Sequence, residues 1–440
     1  MSSKQSNLNE ESIKKYLSPT FLGDRVVLVE EREISAKIKI SLIENAKKSL
    51  DISYFQVQKD EAGILFFAGL IEAAKRGVKV RILLDGKCNK IKYKLDNTNL
   101  ALLRNPNIEI KYYDPLNIFN PISWNNILHD KYIVVDNKIA IIGGRNIGNQ
   151  YFAFHNSDYN KINDREVLIY TNNSNFTSSA VVQIEDYFNL IWQSKYSKVL
   201  NIKMNKKRIL KADNKINYFE SFLKVEREKY KHLFNNEFDW DLYSIEVNKI
   251  SLIYNSIKRG KKEPSCWKEI IKFFDVAKEN IIIQSPYIIF SKAMKNKFKL
   301  NNYSNKSISV ITNSAYSTLD LLAFTGYLKH KESLIKNKFK LYEYQREKSS
   351  IHGKSYVFDD NLSIVGSFNL DPRSVYLSTE TMLIIDSVKF NQELRKKLNI
   401  LIDDSVLVNQ KNVKQKSPSL FKRIILVIFS ILTYFFNFLL

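Results

Sequence analysis

One short motif occurs twice in this chain, and the two copies agree position by position. Each copy begins at a His, and its Lys, Asp, Gly and Asn follow at +2, +7, +14 and +17. The first copy consists of His129, Lys131, Asp136, Gly143 and Asn146. The second copy consists of His352, Lys354, Asp359, Gly366 and Asn369. Because two copies in register do not arise readily by chance, we expect two similar domains with one motif in each.

The residue types suit phosphoryl transfer without a metal. The alternation between the Lys and the Asp of each copy predicts a strand, so the His and the Lys point to the same face. One imidazole can attack phosphorus and carry the group covalently, while a second imidazole protonates the departing oxygen. The Lys and Asn side chains would stabilise the charge that develops on the non-bridging oxygens. We expect the motif Asp to brace this arrangement rather than to react.

A reactive histidine also needs a carboxylate to hold its other ring nitrogen. Glu380 precedes an apolar run in the second half, and Asp164 occupies the matching place in the first half. The acid follows the motif histidine by 28 positions in the second half and by 35 in the first. We place the seven extra residues in the polar loop at 155–163. Glu166 is an alternative to Asp164, and we favour Asp164.

The remaining residues that could react or bind a metal are isolated. His155, His232 and His330 lack a comparable setting, and Cys88 and Cys266 stand far apart in sequence. No Cys/His cluster with zinc spacing and no glycine-rich nucleotide loop is present, so we expect neither a metal nor an organic cofactor. Two cysteines without a disulfide pattern fit a reducing compartment.

With these motifs, the sequence resembles the phospholipase D superfamily and, within it, the bacterial cardiolipin synthases of the shorter C type. The resemblance covers residues 35–200 and 265–390, and IIGGRNIGNQYF and GSFNLDPRSVYLSTE carry it beyond the catalytic motif. The chain departs from the family at Ser53-Tyr54-Phe55 and at WNNIL before His129, where basic residues are more usual. These departures bear on the choice of acceptor more than on the chemistry.

The resemblance implies a phosphatidyltransferase that makes cardiolipin from phosphatidylglycerol and a second phospholipid. One motif histidine would become the phosphatidylated nucleophile, and the other would act as general acid and then as general base. Which histidine takes which role is open. A phospholipase D-type hydrolase or a nuclease would use the same two-histidine chemistry, and a membrane-binding protein with a relic site is a further alternative.

The order of helix and strand patterns predicts the fold. Helical spacing over 36–49 precedes a strand at 50–56 and a helix at 62–76 that Gly77 ends, and the second half repeats this outline. This alternation indicates an α/β fold with two phospholipase D-like mixed-sheet domains packed face to face around a shared active site, plus a C-terminal apolar helix. The predicted segments are a flexible arm (1–35), the first domain (36–200), a linker (201–264), the second domain (265–406) and a basic-apolar tail (407–440).

Charge and the tail indicate the partners. A net charge of +22 favours an acidic partner, and an anionic lipid or a nucleic acid would satisfy it equally. Residues 424–440 are 17 positions without a charge, about 26 Å as a helix, at the lower limit for a span. A polar stripe through Arg423, Ser430 and Asn437 favours a helix lying in the interface, although a span and a helix buried in the protein's own core are alternatives.

From the resemblance and the tail together, we expect attachment to the cytoplasmic face of the bacterial inner membrane through this helix. The expected partners are an anionic phospholipid membrane and phospholipid substrates. We expect no nucleic acid and no obligate protein partner, because the apolar tail suits a lipid enzyme better than a nuclease.

Overall fold

The computed structural model describes residues 9–20, 22–89, 96–152, 161–171, 179–234, 240–408 and 416–435. The chain forms two compact units. The N-terminal unit comprises Gly23–Tyr159 and Glu166–Ser244. The C-terminal unit comprises Met1–Leu22, Asn160–Arg165 and Ile245–Leu440.

Strands and helices are numbered along the chain. The strands are β1 (Asp24–Val29), β2 (Ser49–Tyr54), β3 (Lys79–Asp85), β4 (Ile108–Tyr113), β5 (Ile127–Leu128), β6 (Lys131–Val135), β7 (Ile139–Gly143), β8 (Lys161–Asn163), β9 (Glu166–Thr171), β10 (Ser197–Val199), β11 (Ile245–Glu246), β12 (Lys249–Tyr254), β13 (Asn280–Gln284), β14 (Ser307–Asn313), β15 (Lys340–Tyr344), β16 (Ser349–Ile351), β17 (Ser355–Phe358), β18 (Leu362–Gly366), β19 (Ser378–Thr379), β20 (Thr381–Asp386) and β21 (Ser405–Leu407). The α-helices are α1 (Arg32–Asn45), α2 (Glu61–Lys75), α3 (Asn97–Leu103), α4 (Ala180–Gln193), α5 (Lys206–Lys229), α6 (Lys231–Phe234), α7 (Trp240–Tyr243), α8 (Ser265–Val276), α9 (Lys292–Lys297), α10 (Leu321–Lys336), α11 (Pro372–Tyr376), α12 (Val388–Asp403) and α13 (Leu420–Phe435).

The two units contain mixed sheets with the same strand order. The sheet of the N-terminal unit runs β10-β4-β3-β2-β6-β7-β9-β1, and that of the C-terminal unit runs β21-β15-β14-β13-β17-β18-β20-β12. In each sheet, three neighbouring strands are parallel, and the motif strand, β6 or β17, lies antiparallel to the first of them. The duplication therefore extends to every strand of this order, and the predicted α/β class with two mixed-sheet domains is confirmed.

Over the residues that the structure describes, the predicted arm is not a free segment. β1 pairs along its whole length with β9 inside the first sheet. Upstream of it, Ile13 and Tyr16 are 4% and 6% exposed and belong to the core of the C-terminal unit. The sequence prediction differs because the apolar run of β1 is short and lies beyond the family resemblance.

The predicted linker is also largely structured. β12 is the counterpart of β1 and pairs with β20. Helix α5 packs against α2 and α3, although it buries only Ala212, Phe219, Leu223 and Glu226 along its 24 residues. Such a sparse apolar face gives a weak helical pattern in the sequence, which is why the region reads as a linker.

Helix α2 shows how local chemistry sets the elements around the motif strand. The Asp60 side chain accepts a hydrogen bond from the backbone N–H of Gly63 at 3.2 Å and caps the helix start. Gly77 follows the helix end with φ +97°, a left-handed conformation that glycine adopts without strain. The predicted helix and its end at Gly77 are therefore present.

The C-terminal helix α13 packs one face against α10. The Lys422 ammonium donates to the carbonyl oxygens of Tyr316 and Thr318 at 2.9 and 2.6 Å, and Leu426 packs against the core. The opposite face exposes six large apolar side chains: Leu420, Phe421, Ile424, Val427, Ile428 and Ile431. Among the described residues, no helix has the length and apolar character needed to cross a bilayer. Asn437 of the predicted polar stripe lies outside the described residues.

The motif aspartate of the first copy lies directly after β6, at the opposite end of that strand from His129. Asp136 has φ 51°, and its carboxylate accepts the backbone N–H groups of Lys47, Lys48 and Ser49 at 2.9, 2.7 and 2.8 Å. It therefore ties the end of the motif strand to the start of β2.

The second copy repeats this arrangement after β17. Asp359 has φ 43°, and its carboxylate accepts the backbone N–H groups of Lys278, Glu279 and Asn280 at 2.7, 3.0 and 3.0 Å. Burial raises the pKa of Asp359, but these three donors outweigh burial and hold it below its ordinary value. Both motif aspartates thus organise the backbone.

We expect Asp359→Ala to lower the free energy of unfolding by about 1–3 kcal/mol, because three backbone donors lose a charged acceptor. Asp359→Asn should cost less, since Asn keeps one side-chain acceptor and tolerates the left-handed backbone. Because the folded-state pKa is depressed, the contribution is present above about pH 4 and disappears as the pH falls through the folded-state value. Urea denaturation at pH 7 and at pH 3 measures both effects. An unchanged midpoint together with lost turnover would instead assign Asp359 to the chemistry.

Candidate active site

Strand pairing delivers a carboxylate from the first half of the sequence to the histidine of the second motif. Within the C-terminal unit, β8 pairs in parallel with β16, and the backbone N–H of His352 donates to the carbonyl oxygen of Asn163 at 2.7 Å. Asp164 follows β8, and its Oδ2 lies 2.5 Å from Nδ1 of His352. The sequence offsets count Asp164 from His129, whereas the structure places it on the histidine of the other copy.

This contact defines the tautomer of His352. Lys354 Nζ also lies 2.7 Å from the same Nδ1, but a neutral ring nitrogen either donates or accepts. The contact with the carboxylate is the shorter of the two, and a carboxylate can only accept, so we assign the Nδ1 proton to the bond with Asp164. Nε2 then carries the lone pair that a nucleophile or general base requires. The His352 side chain is 24% exposed, so it is accessible to a ligand, whereas Asp164 is fully buried.

Lys354 is buried beside His352. Its Nζ donates to the His352 carbonyl oxygen and lies 4.0 Å from Oδ2 of Asp164. Burial lowers the pKa of Lys354 to about 8, while Asp164, Glu380 and Asp371 act in the opposite direction. The ammonium is therefore charged at neutral pH, but only by a small margin.

Asn369 and Glu380 are both buried, and neighbouring hydroxyls hold them. The amide nitrogen of Asn369 donates to the Tyr287 hydroxyl at 3.1 Å, and its Oδ1 has no hydrogen-bond partner among the described residues. The carboxylate of Glu380 accepts from the Ser367 hydroxyl at 2.5 Å. Ser367, which directly follows the motif glycine, therefore orients the acid that the sequence singles out in this half.

The motif glycine of the second copy is a packing requirement. A Cβ on Gly366 would lie 2.2 Å from the backbone oxygen of Thr381 and 2.6 Å from the sulfur of Met382. Any side chain here would push β18 away from β20, so glycine brings the following Ser and Asn into position.

The first motif repeats the contact between lysine and histidine backbone in the N-terminal unit. His129 stands between β5 and β6, and the buried Lys131 donates from Nζ to its carbonyl oxygen. The ring of Phe55 lies 5.0 Å from the His129 ring, and its centroid is 5.0 Å from Lys131 Nζ. In the sequence, Phe55 stands out only as a departure from the family. Phe55 directly follows β2, which pairs with the motif strand, and this position is the signal that could have placed its ring beside His129 and Lys131.

Asn146 repeats the arrangement of Asn369. Its amide nitrogen donates to the Tyr151 hydroxyl at 3.1 Å, and its Oδ1 has no hydrogen-bond partner in the described part of the chain. Tyr151 follows its Asn in the same loop, whereas Tyr287 follows β13. Sequence reasoning missed both tyrosines because their spacing does not repeat.

Glu166, the alternative acid, has different partners. Both of its carboxylate oxygens lie 2.6 Å from Lys39 Nζ, Ser35 donates at 2.5 Å, and Nε of Arg145 lies 3.3 Å away. It therefore takes part in a buried ion cluster of the N-terminal unit, and the geometry favours Asp164 as the acid that holds a motif histidine.

The other predicted features lie apart from the motifs or outside the described residues. His232 lies 3.1 Å from Glu33 on the surface, and burial lowers the pKa of His330 to about 4. His155 lies outside the described residues. The described residues contain no group of three or more His, Cys, Asp or Glu side chains placed to hold a metal.

Each unit thus combines an imidazole, a buried ammonium and a buried carboxamide. The carboxamide donates one of its two N–H groups to a tyrosine hydroxyl, and the second N–H group can donate to a ligand. This set can bind the non-bridging oxygens of a phosphate diester while an imidazole acts on phosphorus. The motif aspartates do not join this set, because they lie at the far ends of the motif strands.

Comparisons with known proteins identify the family of the chain. The family model described as "Cardiolipin synthase, PLD-like domain" matches residues 40–200 and 270–402. An uncharacterized protein of Helicobacter pylori strain 26695 is 28% identical over 404 residues, which cover 84% of this chain and 77% of the relative. Cardiolipin synthase C of Escherichia coli K12 is 26% identical over 391 residues, covering 81% and 80%.

Among solved structures, phosphatidylserine synthase of Haemophilus influenzae Rd KW20 superposes with a TM-score of 0.68 at 15% identity and covers 98% of both chains. This likeness concerns the fold alone. Because the family model spans more than half of the sequence in two regions, with one motif in each, the chain belongs to the cardiolipin synthase family of phospholipase D-like proteins.

Proposed function

We propose that this protein is a phosphatidyltransferase that makes cardiolipin from phosphatidylglycerol and a second phospholipid. The observation that carries the proposal is the Asp164–His352 pair beside the buried Lys354, because it prepares Nε2 of an accessible imidazole for reaction at phosphorus. Family membership supports lipid chemistry. The 26% identity to cardiolipin synthase C supports the C-type branch, beside 24% identity to cardiolipin synthase B of Salmonella typhi.

The reaction proceeds in two displacements at one phosphorus. Nε2 of one motif histidine attacks the donor phospholipid, and the bond from phosphorus to the leaving alcohol breaks. The other motif histidine gives its proton to that alcohol oxygen. The neutralised histidine then takes the proton from a hydroxyl of phosphatidylglycerol, whose oxygen attacks phosphorus and breaks the bond to the phosphatidyl-histidine. Cardiolipin leaves, and both imidazoles return to their first state.

The positive charges and amides act on the oxygens that do not react. Lys131 and Lys354 neutralise the non-bridging oxygens, and Asn146 and Asn369 each donate their remaining N–H group. Asp164 stabilises the positive charge that His352 carries during the reaction, whether this histidine is the nucleophile or the acid.

We also propose that the protein attaches to the cytoplasmic face of the bacterial inner membrane through α13. The helix packs on the protein through one face and presents six apolar side chains on the other. The chain's net charge of +22 favours an anionic leaflet.

The function is tested by resolving the lipid products that purified protein forms in vesicles of labelled phosphatidylglycerol and phosphatidylethanolamine. The wild type should form cardiolipin, and His129→Ala or His352→Ala should lower turnover by roughly 10³-fold or more, because each removes one half of the acid–base cycle. The double variant should lose little more than either single variant. His232→Ala, a surface histidine, is the matched control and should keep the wild-type rate.

Different products would point to different enzymes. Phosphatidic acid without cardiolipin would make water the acceptor and the protein a phospholipase D-type hydrolase. Cardiolipin formed equally well by His352→Ala would contradict the two-histidine mechanism. The absence of any lipid product would direct the same variants to nucleic acid substrates.

The buried lysine sets the alkaline limit of activity. Since the charged form of Lys354 binds the phosphate, kcat/KM on a soluble short-chain substrate should fall as the pH rises through about 8. The corresponding fall in kcat should occur at higher pH, because the charge of bound phosphate raises the lysine pKa. Lys354→Arg should remove the limb near pH 8, since a guanidinium stays protonated, whatever its absolute rate. A limb that persists unchanged in this variant would assign the titration to another group.

Membrane attachment is tested with two neighbouring residues of α13. Ile431→Asp should weaken flotation with anionic vesicles by roughly tenfold or more, because it removes one apolar side chain that would enter the bilayer. Ser430→Asp adds the same charge one position away on the polar stripe and should weaken binding less. Equal losses in the two variants would mean that only charge, and not the apolar face, attracts the chain to lipid.

A further inference from the structure

An uncharged loop of the N-terminal unit presents large apolar side chains to solvent. This segment, residues 115–125, connects β4 to β5 and is called the apolar loop below. Leu116, Ile118, Phe119 and Trp124 are 54%, 66%, 90% and 47% exposed. No charged residue occurs between Asp114 and His129, although the chain as a whole is strongly basic. A cluster of this kind on a soluble surface usually marks an interaction site.

The base of the apolar loop is tightly closed. The amide nitrogen of Asn126 donates to Oδ2 of Asp114 at 2.7 Å, and the hydroxyl of Tyr113 donates to Oδ1 of Asn126 at 3.3 Å. Lys87 Nζ donates to the carbonyl oxygens of both Asp114 and Asn126. The two ends of the loop are therefore fixed together, and the exposed tip is held in place.

Hydrogen bonds inside the loop engage polar groups near its tip. The backbone carbonyl oxygen of Asn117 accepts two hydrogen bonds, from the indole N–H of Trp124 at 2.9 Å and from the backbone N–H of Asn120 at 3.1 Å. The Asn117 side chain accepts the backbone N–H of Phe119 at 3.0 Å. The Ser123 hydroxyl donates to the Asn120 carbonyl at 2.7 Å. Since these bonds do not depend on water, the tip can enter an apolar medium while keeping them.

The loop is also coupled to the reactive histidine of its own unit. Asn126 closes the loop three residues before His129, and the backbone N–H of Leu128 between them donates to the buried carboxylate of Asp85 at 3.0 Å. A displacement of the loop would therefore act directly on the segment that carries His129.

We propose that the apolar loop inserts into the headgroup and upper acyl region of a phospholipid bilayer and holds His129 at the level of the phosphodiesters. The inference rests on the proposed lipid-transfer function, and it names the loop as the element that brings the first motif to its substrate. A Trp near the base with Phe and Ile at the tip matches the depth preferences of these side chains in membranes.

A bilayer fits the loop better than a protein partner does. Four side chains on one narrow loop present less area than the roughly 800 Å² per partner that a stable protein interface buries. The loop offers no charge to pair with a partner, whereas the rest of the basic chain supplies the attraction to an anionic lipid surface.

Insertion is measured without reference to catalysis. Phe119→Cys in the full chain with Cys88→Ser is labelled with an environment-sensitive fluorophore, since the remaining Cys266 is buried. Added vesicles of phosphatidylglycerol and phosphatidylethanolamine should shift its emission to the blue, and lipids brominated in the upper acyl chain should quench it. A probe at Leu210, which is 62% exposed on α5, is the control and should remain unquenched. A probe at 119 that stays unquenched would overturn the proposal.

The consequence for catalysis is tested with Phe119→Asp and the matched Leu210→Asp. Phe119→Asp should lower transfer on vesicles about tenfold or more and change the rate on a monomeric short-chain phospholipid by no more than about twofold, whereas Leu210→Asp should leave both rates near wild type. Equal vesicle rates for the two variants would contradict the loop's role while leaving the lipid-transfer function intact. A wild-type chain inactive on both substrates, with a quenched probe at 119, would reject the function but not the insertion. A concentration-dependent dimer that Phe119→Asp dissociates would assign the loop to a protein interface and overturn the proposal.

Discussion

The bond between Nδ1 of His352 and Oδ2 of Asp164, at 2.5 Å, is the interaction that orients the second motif histidine and on which the proposed mechanism depends. It exists because Asn160–Arg165 leave the first half of the sequence and join the second unit. Parallel pairing of β8 with β16 sets the register, and a slip by one residue would turn Asp164 to the opposite face. The extra residues of the first half therefore include the segment that supplies this carboxylate.

Burial and the neighbouring carboxylates act on Lys354 in opposite directions. A lysine removed from water loses its hydration, which explains a pKa near 8 despite three carboxylates that favour the charged form. In the proposed mechanism, a bound phosphodiester adds a further anion beside this ammonium. Because burial removes hydration from the cation, the cation would attract the anionic substrate more strongly, and the transition state more strongly still.

The sequence predicts the local parts of this design well. The motif spacing, the strand that carries each Lys, the helix that ends at Gly77 and the apolar C-terminal helix all depend on residues close together in sequence, where periodicity is informative. The two-domain α/β class follows from the same local alternation. What the sequence could not provide are contacts between distant segments. β1 and β12 occupy matching edges of the two sheets, yet both are too short to stand out from the predicted arm and linker.

The asparagines show the same limit at the level of the site. Asn146 and Asn369 occupy equivalent motif positions, and each donates its amide to a tyrosine hydroxyl at 3.1 Å. The tyrosines, however, come from different places, one five residues after its Asn and the other after β13. Only the folded chain shows that a tyrosine hydroxyl orients the carboxamide in both units, because such a side chain can approach from any neighbouring segment.

Two kinds of requirement explain why the motif recurs as a fixed unit. In the proposed mechanism the His, Lys and Asn act on a phosphate, whereas the Asp and the Gly organise the backbone. Asp359 gathers three N–H groups at the start of β13, and Gly366 lets β18 approach β20 more closely than a Cβ permits. Because a strand alternates its faces, changing the distance from Lys to Asp by one residue would turn either the ammonium or the carboxylate away from its partner. The spacing of the motif is therefore the length of one strand, with the reacting groups at one end and the structural anchor at the other.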